Sequence, residues 1–443
     1  MVKDQLPMQV IAKLKYFWHY STGGKMDFRD INIEQIVARI CNSDTTGEAF
    51  QLYQLAAPLL KDYKFVFASD KGGQPGFAVN RTFSAGAAVR SLFKTDRILV
   101  LDLDTALEME SGQSTYPIDY SISLDTNAMS YLVPHMAGKR GGGIPADFLE
   151  VFEFIASPEV NVDPIPYFTE NLPNLADGKS ADEIFENLKA YEILRTIDAD
   201  WLKSKGQVQS TLTEQELAKS AQQLLSKMYM DINDDAAMKG IKFRHQYMYA
   251  CLIKMAAIQL KSPSAGIGKK MSAFMEFCHS GLATMSVREA AVARAYFTQG
   301  QDLTFFGKIQ KKSKKDILEL LRNMAWDMWH VRQMEQSITL KPAKQARYFF
   351  PALLTFDRRF IEIMDLYPLK ACAFKVSESQ PMPFFDGDAF RLIATDDEDG
   401  ASAVKKYFSE DAIATREAVR DSVRANFSVV VDSLEKELLA IAK

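Results

Sequence analysis

Four acidic side chains stand where local structure would put them to chemical use. Tyr120-Ser-Ile-Ser-Leu124 alternates as a short buried strand does, and Asp125, Thr126 and Asn127 arrive where it should end, ahead of helix-compatible residues from Ala128. The run from Tyr348 repeats the pattern: an apolar strand, Thr355, Asp357, then a helix over 358–367. Between them, Ile317, Leu321, Met324, Met328 and Val331 form one apolar helical stripe with Asp327 on its flank and Asn323 and His330 a turn away. A carboxylate half-sunk there needs a metal ion or an arginine to neutralise it. Glu170 reads as a first-turn residue of a helix opening near Tyr167 or Thr169. Each acid also has a plainer reading: Asp125 and Asp357 as helix caps, Glu170 as an acid favoured by the helix dipole.

The chemistry such a group could serve is hydrolysis of a phosphodiester. It needs a water made nucleophilic at neutral pH and charge stabilisation on the phosphoryl and leaving oxygens, and one or two hard divalent cations supply both. Mg2+ and Mn2+ prefer oxygen ligands. Asp125, Asp327 and Asp357 would be ligands, and Glu170 a ligand or the group that orients the water. Asn127, Thr355 and His330 would steady those carboxylates. Basic residues near the same edge, namely Lys139, Arg140, the run 308–315 with Lys311, Lys312, Lys314 and Lys315, and Arg358 and Arg359, could bind a phosphate backbone.

In order and spacing, Leu124-Asp-Thr-Asn127, then Glu170, then Ala325-Trp-Asp327, then Leu354-Thr-Phe-Asp357 resembles the PIN-domain and PIN-like nucleases. The resemblance covers residues 116–175 and 317–373. It implies an α/β/α sandwich with a central parallel sheet, metal-binding acids at the carboxyl edge, Mg2+ or Mn2+, and RNA or single-stranded nucleic acid as substrate, in a toxin-like or defence-associated bacterial setting. The departure is the long gap between Glu170 and Asp327, which makes Glu289 a competitor for the fourth position. A rival enzyme reading rests on Ile98-Leu-Val-Leu-Asp-Leu-Asp104, which resembles the nucleophile strand of haloacid-dehalogenase-like phosphatases, with Asp102 and Asp104 as the pair. Ala106 stands where that family has Thr or Val, and the late acids would be Asp396 and Asp397. A non-catalytic interaction scaffold, its acids kept as caps and ion pairs, is the third reading.

These acids must be positioned by a mixed, helix-rich α/β chain. Helical spacing marks 33–40 and 50–60, and strand-like runs mark 65–67 and 98–103, within an amino-terminal α/β region, 1–115, of unassigned role. Core segments at 116–175 and 317–373 flank a helical insertion, 176–316, with periodic stretches at 181–196, 213–230, 242–260, 270–283 and 286–298. Residues 374–443 end in a long helix from about Ser409, whose Val423, Phe427, Val430 and Leu434 either pack on the body or pair between chains. Two geometric expectations follow: Asp125 and Asp357 share one sheet edge, and three or more of the carboxylates converge within metal-bridging distance in a nuclease but lie scattered in a scaffold.

With 443 residues, 47% hydrophobic and 25% charged, a sizeable core is affordable, and a formal net charge of −4 advertises neither nucleic acid nor an anionic membrane globally. Cys41, Cys251, Cys278 and Cys372 are too dispersed for a zinc site or disulfide framework, which points to a reducing, cytoplasmic setting without a membrane span. Gly266-Ile-Gly-Lys-Lys270 lacks the upstream Gly and the Ser or Thr of a phosphate loop, and no Gly-x-Ser-x-Gly occurs.

Overall fold

The computed structural model describes residues 32–442 except 74–78, 113, 115, 117, 139–142, 179, 310–313, 342–345, 379, 387–392, 394, 396 and 397. The described strands are β1 (Tyr63–Gly73), β2 (Arg81–Thr82), β3 (Ala88–Ser91), β4 (Ile98–Leu101), β5 (Ile118–Leu124), β6 (Val162–Asp163), β7 (Tyr348–Thr355), β8 (Leu369–Lys375) and β9 (Gln380–Phe385). They form two sheets, a five-stranded one in the order β2-β3-β7-β5-β6 and a four-stranded one in the order β4-β1-β8-β9.

The five-stranded sheet is mixed. β5 runs parallel to both β6 and β7, while β3 is antiparallel to β7 and β2 to β3. Nearly every residue of β7 is buried, as a strand flanked on both edges and covered on both faces must be. Pro351 is tolerated there because pairing with β3 begins only at Ala352. Leu353 and Leu354 enter different apolar clusters, the alternation expected of one strand with two covered faces. One cluster joins Ile122, Leu124 and Leu354 to the helices Thr126–Met136, Phe148–Ile155, Ile165–Ala176 and Ala181–Arg195. The other joins Phe350 and Leu353 to Asp235–Lys261, Ile267–Ser280, Val287–Gln299 and Lys314–Ser337.

The four-stranded sheet was not anticipated as a sheet. Its strands are all antiparallel; Phe65 and Phe67 face the helices Ile33–Cys41 and Thr46–Ala56, while Val66 faces the larger cluster. Pairing crosses the expected boundaries, since Phe65 lies opposite Ala373 and Val89 opposite Leu354. The strands β1, β3 and β4 are therefore built into the sheets of the body rather than forming a region apart. The expected insertion does fold as helices, yet Asp235–Lys261 packs on both Lys314–Ser337 and Phe427–Ile441. Asn426 splits the expected long carboxyl-terminal helix into Glu410–Ala425 and Phe427–Ile441, and Phe427, Leu434 and Leu438 are buried against the body. Of the two outcomes expected for that stripe, packing on the body is the one seen within the chain. Among the described residues, no helix is long and apolar enough to cross a membrane.

Candidate functional site

Parallel β5 and β7 pair Leu124 with Leu354, so Asp125 and Asp357 emerge at the same edge. Asp125, 8% exposed, accepts a bond from Ala128 N at 2.7 Å and so caps the helix that follows. Thr355, fully buried, accepts from Asp357 N at 3.1 Å and favours the ionised form of Asp125. Asp357 caps Arg358–Leu366, and Arg359 N and Nε each donate to its Oδ1 at 2.9 Å. Arg359 is therefore bound to a site acid rather than free for substrate.

Glu170 and Asp327 reach this edge from two helices. Ile165–Ala176 opens at Ile165, earlier than expected, because Pro166 suits a first turn; Glu170 consequently sits well inside the helix, not in its first turn. Thr126 Oγ1 donates to Glu170 Oε2 at 2.5 Å, and His330 Nε2 stands 3.8 Å from the same oxygen. Asn127 is exposed, so Thr126 takes the place expected for it. Gln333 Nε2 donates to Thr169 Oγ1 at 3.1 Å, tying the helix of Asp327 and His330 to that of Glu170.

The four acids feel one another. Burial, then Asp357, Glu170 and Asp125, pushes the Asp327 carboxyl well above the usual range, and Arg359 only partly opposes them. Burial lifts Asp125 from 3.8 to about 6, against the bonds from Ala128 and Thr355. Burial also pushes Glu170 upward, but His330 and the Thr126 hydroxyl outweigh it and leave Glu170 below its ordinary value. His245, its ring tilted against Trp326 with centroids 4.2 Å apart, adds to that lowering. No local signal marked His245, which comes from a helix distant in sequence.

Glu289 lies elsewhere. Fully buried, it receives Arg332 Nε at 2.9 Å and Nη2 at 2.6 Å, within a network that also pairs Arg332 and Arg288 with Glu335. Glu170, not Glu289, is the acid that joins the cluster. Asp102 ends antiparallel β4, caps Leu103–Glu110 and accepts from Tyr348 Oη at 2.5 Å, while Asp104 is exposed. An antiparallel strand with one acid committed to capping does not reproduce the phosphatase arrangement. Lys139, Arg140, Lys311, Lys312, Asp396 and Asp397 lie outside the described residues, and Lys314 and Lys315 are described only as the start of their helix. Arg358 is exposed and lies over Gly86, where a Cβ would come within 2.1 Å of its Nε.

No family model, curated protein or solved structure matches the chain.

The donor set is oxygen-rich, with an imidazole beside it, and suits a hard divalent cation. His330 Nδ1 and Gln333 Oε1 are buried without a hydrogen-bond partner among the described residues, as expected where a polar ligand or water completes a site. As placed, no three His, Cys, Asp or Glu side chains among the described residues could together hold an ion. The acids therefore act on one another electrostatically without converging as a metal-binding set among the described residues.

Proposed function

We propose that this chain is a PIN-like, metal-dependent nuclease, an α/β/α sandwich acting on RNA or single-stranded nucleic acid. The observation that carries the reading is the placement of Asp327, where Asp357, Glu170 and Asp125 from three other elements act on a carboxyl that burial already raises. A carboxylate perturbed by burial and by specific charge partners from separate elements is a candidate for a functional site. Mg2+ or Mn2+, when bound, would supply the nucleophilic water and the charge stabilisation. Asp125, Asp327 and Asp357 would hold the ion, with Glu170 as the fourth ligand or the group orienting the water. Thr355 fixes Asp125, Thr126 fixes Glu170, and Arg358 at the exposed edge would meet substrate phosphate.

The scaffold reading has its own support, since no three such side chains among the described residues converge to hold an ion, Asp125 and Asp357 both cap helices, and Arg359 already neutralises Asp357. Melting temperature with and without Mn2+, measured alongside cleavage of labelled RNA, single-stranded DNA and duplex DNA, separates the two. For the nuclease, Mn2+ raises the melting temperature of wild type only, and Asp125→Asn, Asp327→Asn and Asp357→Asn each abolish cleavage. A double change then costs little more than a single one, because the ligands act as a unit. Full cleavage by Asp357→Asn, or equal metal stabilisation of all variants, would sink the proposal.

A further inference from the structure

Away from the acid cluster, two arginines lie where the carboxyl-terminal helices meet the body. Arg416 and Arg420 stand one turn apart on the helix Glu410–Ala425. Arg416 is 5% exposed, yet neither arginine forms an ion pair with a described residue. Buried guanidinium groups are normally matched by carboxylates, and this molecule follows that rule elsewhere: Arg288, 3% exposed, pairs with Glu335 at 2.6 Å.

Among the described residues no carboxylate pairs with Arg416, and Glu417 acts on it only from a distance. Of its nitrogens, Nη1 alone bonds a described residue, donating to Tyr407 O at 2.7 Å and lying 3.3 Å from His279 Nδ1. Tyr407 closes the helix Glu398–Tyr407, so its carbonyl carries part of a helix-end dipole and caps the turn without supplying a counter-charge. If Nδ1 accepts from the guanidinium, the neutral imidazole carries its proton on Nε2 and presents a further donor. Glu276, one turn before His279, is already taken up by Ser280, Lys406 and Tyr407. Glu417, beside Arg416 in sequence, is exposed.

The geometry points to an oxyanion site here, in which the unused Nε and Nη2 of Arg416, with Arg420 and His279, take a phosphate group, either free phosphate or a terminal phosphate monoester. Arginine suits this ligand because its planar fork donates two parallel bonds to phosphate oxygens. Burial and the like charge of Arg420 both press the Arg416 pKa downward, a cost that a bound anion relieves.

Calorimetric titration of the full chain with inorganic phosphate, against chloride at matched ionic strength, tests this. Arg420→Gln is the informative variant, because Arg420 forms no ion pair with a described residue, whereas changing Arg416 also removes the bond to Tyr407. Saturable phosphate binding by wild type, weakened at least tenfold in Arg420→Gln with an unchanged melting temperature in chloride, is expected. Asp327→Asn should bind phosphate as wild type does, which keeps this result separate from the fate of the acid cluster. Oligonucleotides with and without a 5′-phosphate distinguish the sources: competition with phosphate by the phosphorylated one alone identifies a terminal monoester, and competition by neither identifies free phosphate. Equal heats in phosphate and chloride, or wild-type affinity in Arg420→Gln, would overturn the site.

Discussion

A carboxyl that is buried beside other acids works against the fold whenever it ionises. Asp125, 8% exposed and raised from 3.8 to about 6, is such a group. Its folded pKa lies above its unfolded one, so the favourable contribution is complete below 3.8 and is lost as pH rises through about 6. The difference amounts to about 3 kcal/mol by linkage, as an order of magnitude. Asparagine caps helices as well as aspartate does, so Asp125→Asn should keep the Ala128 bond while removing the buried charge. In chelator-treated protein its melting temperature should exceed wild type at pH 8 by several degrees, and the gap should shrink towards pH 5. A gap independent of pH would show that Asp125 ionises freely. At this scale much was legible, because strand-end acids and a flanking helical acid leave a local pattern at Asp125, Asp357 and Asp327. The choice of Glu170 over Glu289 was not, since one sequence does not say which helix turns which acid towards the sheet.

The helix Lys314–Ser337 owes its orientation to more than its apolar stripe. Arg332, five residues beyond Asp327, bridges Glu289 and Glu335, and Arg288 completes the network through Glu335 and the Tyr367 carbonyl. Two arginines and two glutamates balance in charge, and only as a set are they tolerable in the interior. Arg332→Met leaves Glu289, fully buried, without its partner, and should destabilise by roughly 3–5 kcal/mol in urea unfolding. Arg332→Met with Glu289→Met should recover much of that loss. A double variant as unstable as the single one would assign the effect to packing instead. The helix itself was legible from its 3.6-residue spacing. The network was not, because Arg288 and Glu289 occupy an otherwise ordinary amphipathic stretch, and charged residues on a periodic helix read by default as a solvated face.

At the scale of the whole molecule, the sheets bind together parts of the chain that sequence reading kept apart. β1 lies between β4 and β8, and β7 needs β3 on one edge as much as β5 on the other. Such pairings were illegible because β2 and β3 span two and four residues, too short for alternation to register. The partners β1 and β8 are also separated by most of the chain. These contacts make a firm prediction about residues 116–373, the span that covers both core segments. Cut to that span, the chain would expose the β8 edge that pairs with β1 and the β7 edge that pairs with β3, together with the face of Asp235–Lys261 that Phe427, Leu434 and Leu438 cover. Unpaired buried strand edges and a bared apolar face are costly individually and promote association together. The shortened chain should therefore lack a cooperative thermal transition and the near-ultraviolet circular dichroism of the full chain, and it should bind a hydrophobic dye. Cooperative unfolding with a full-chain near-ultraviolet spectrum would instead mean that the acid-bearing sheet closes its core without the second sheet, and that the amino-terminal strands are an accessory layer.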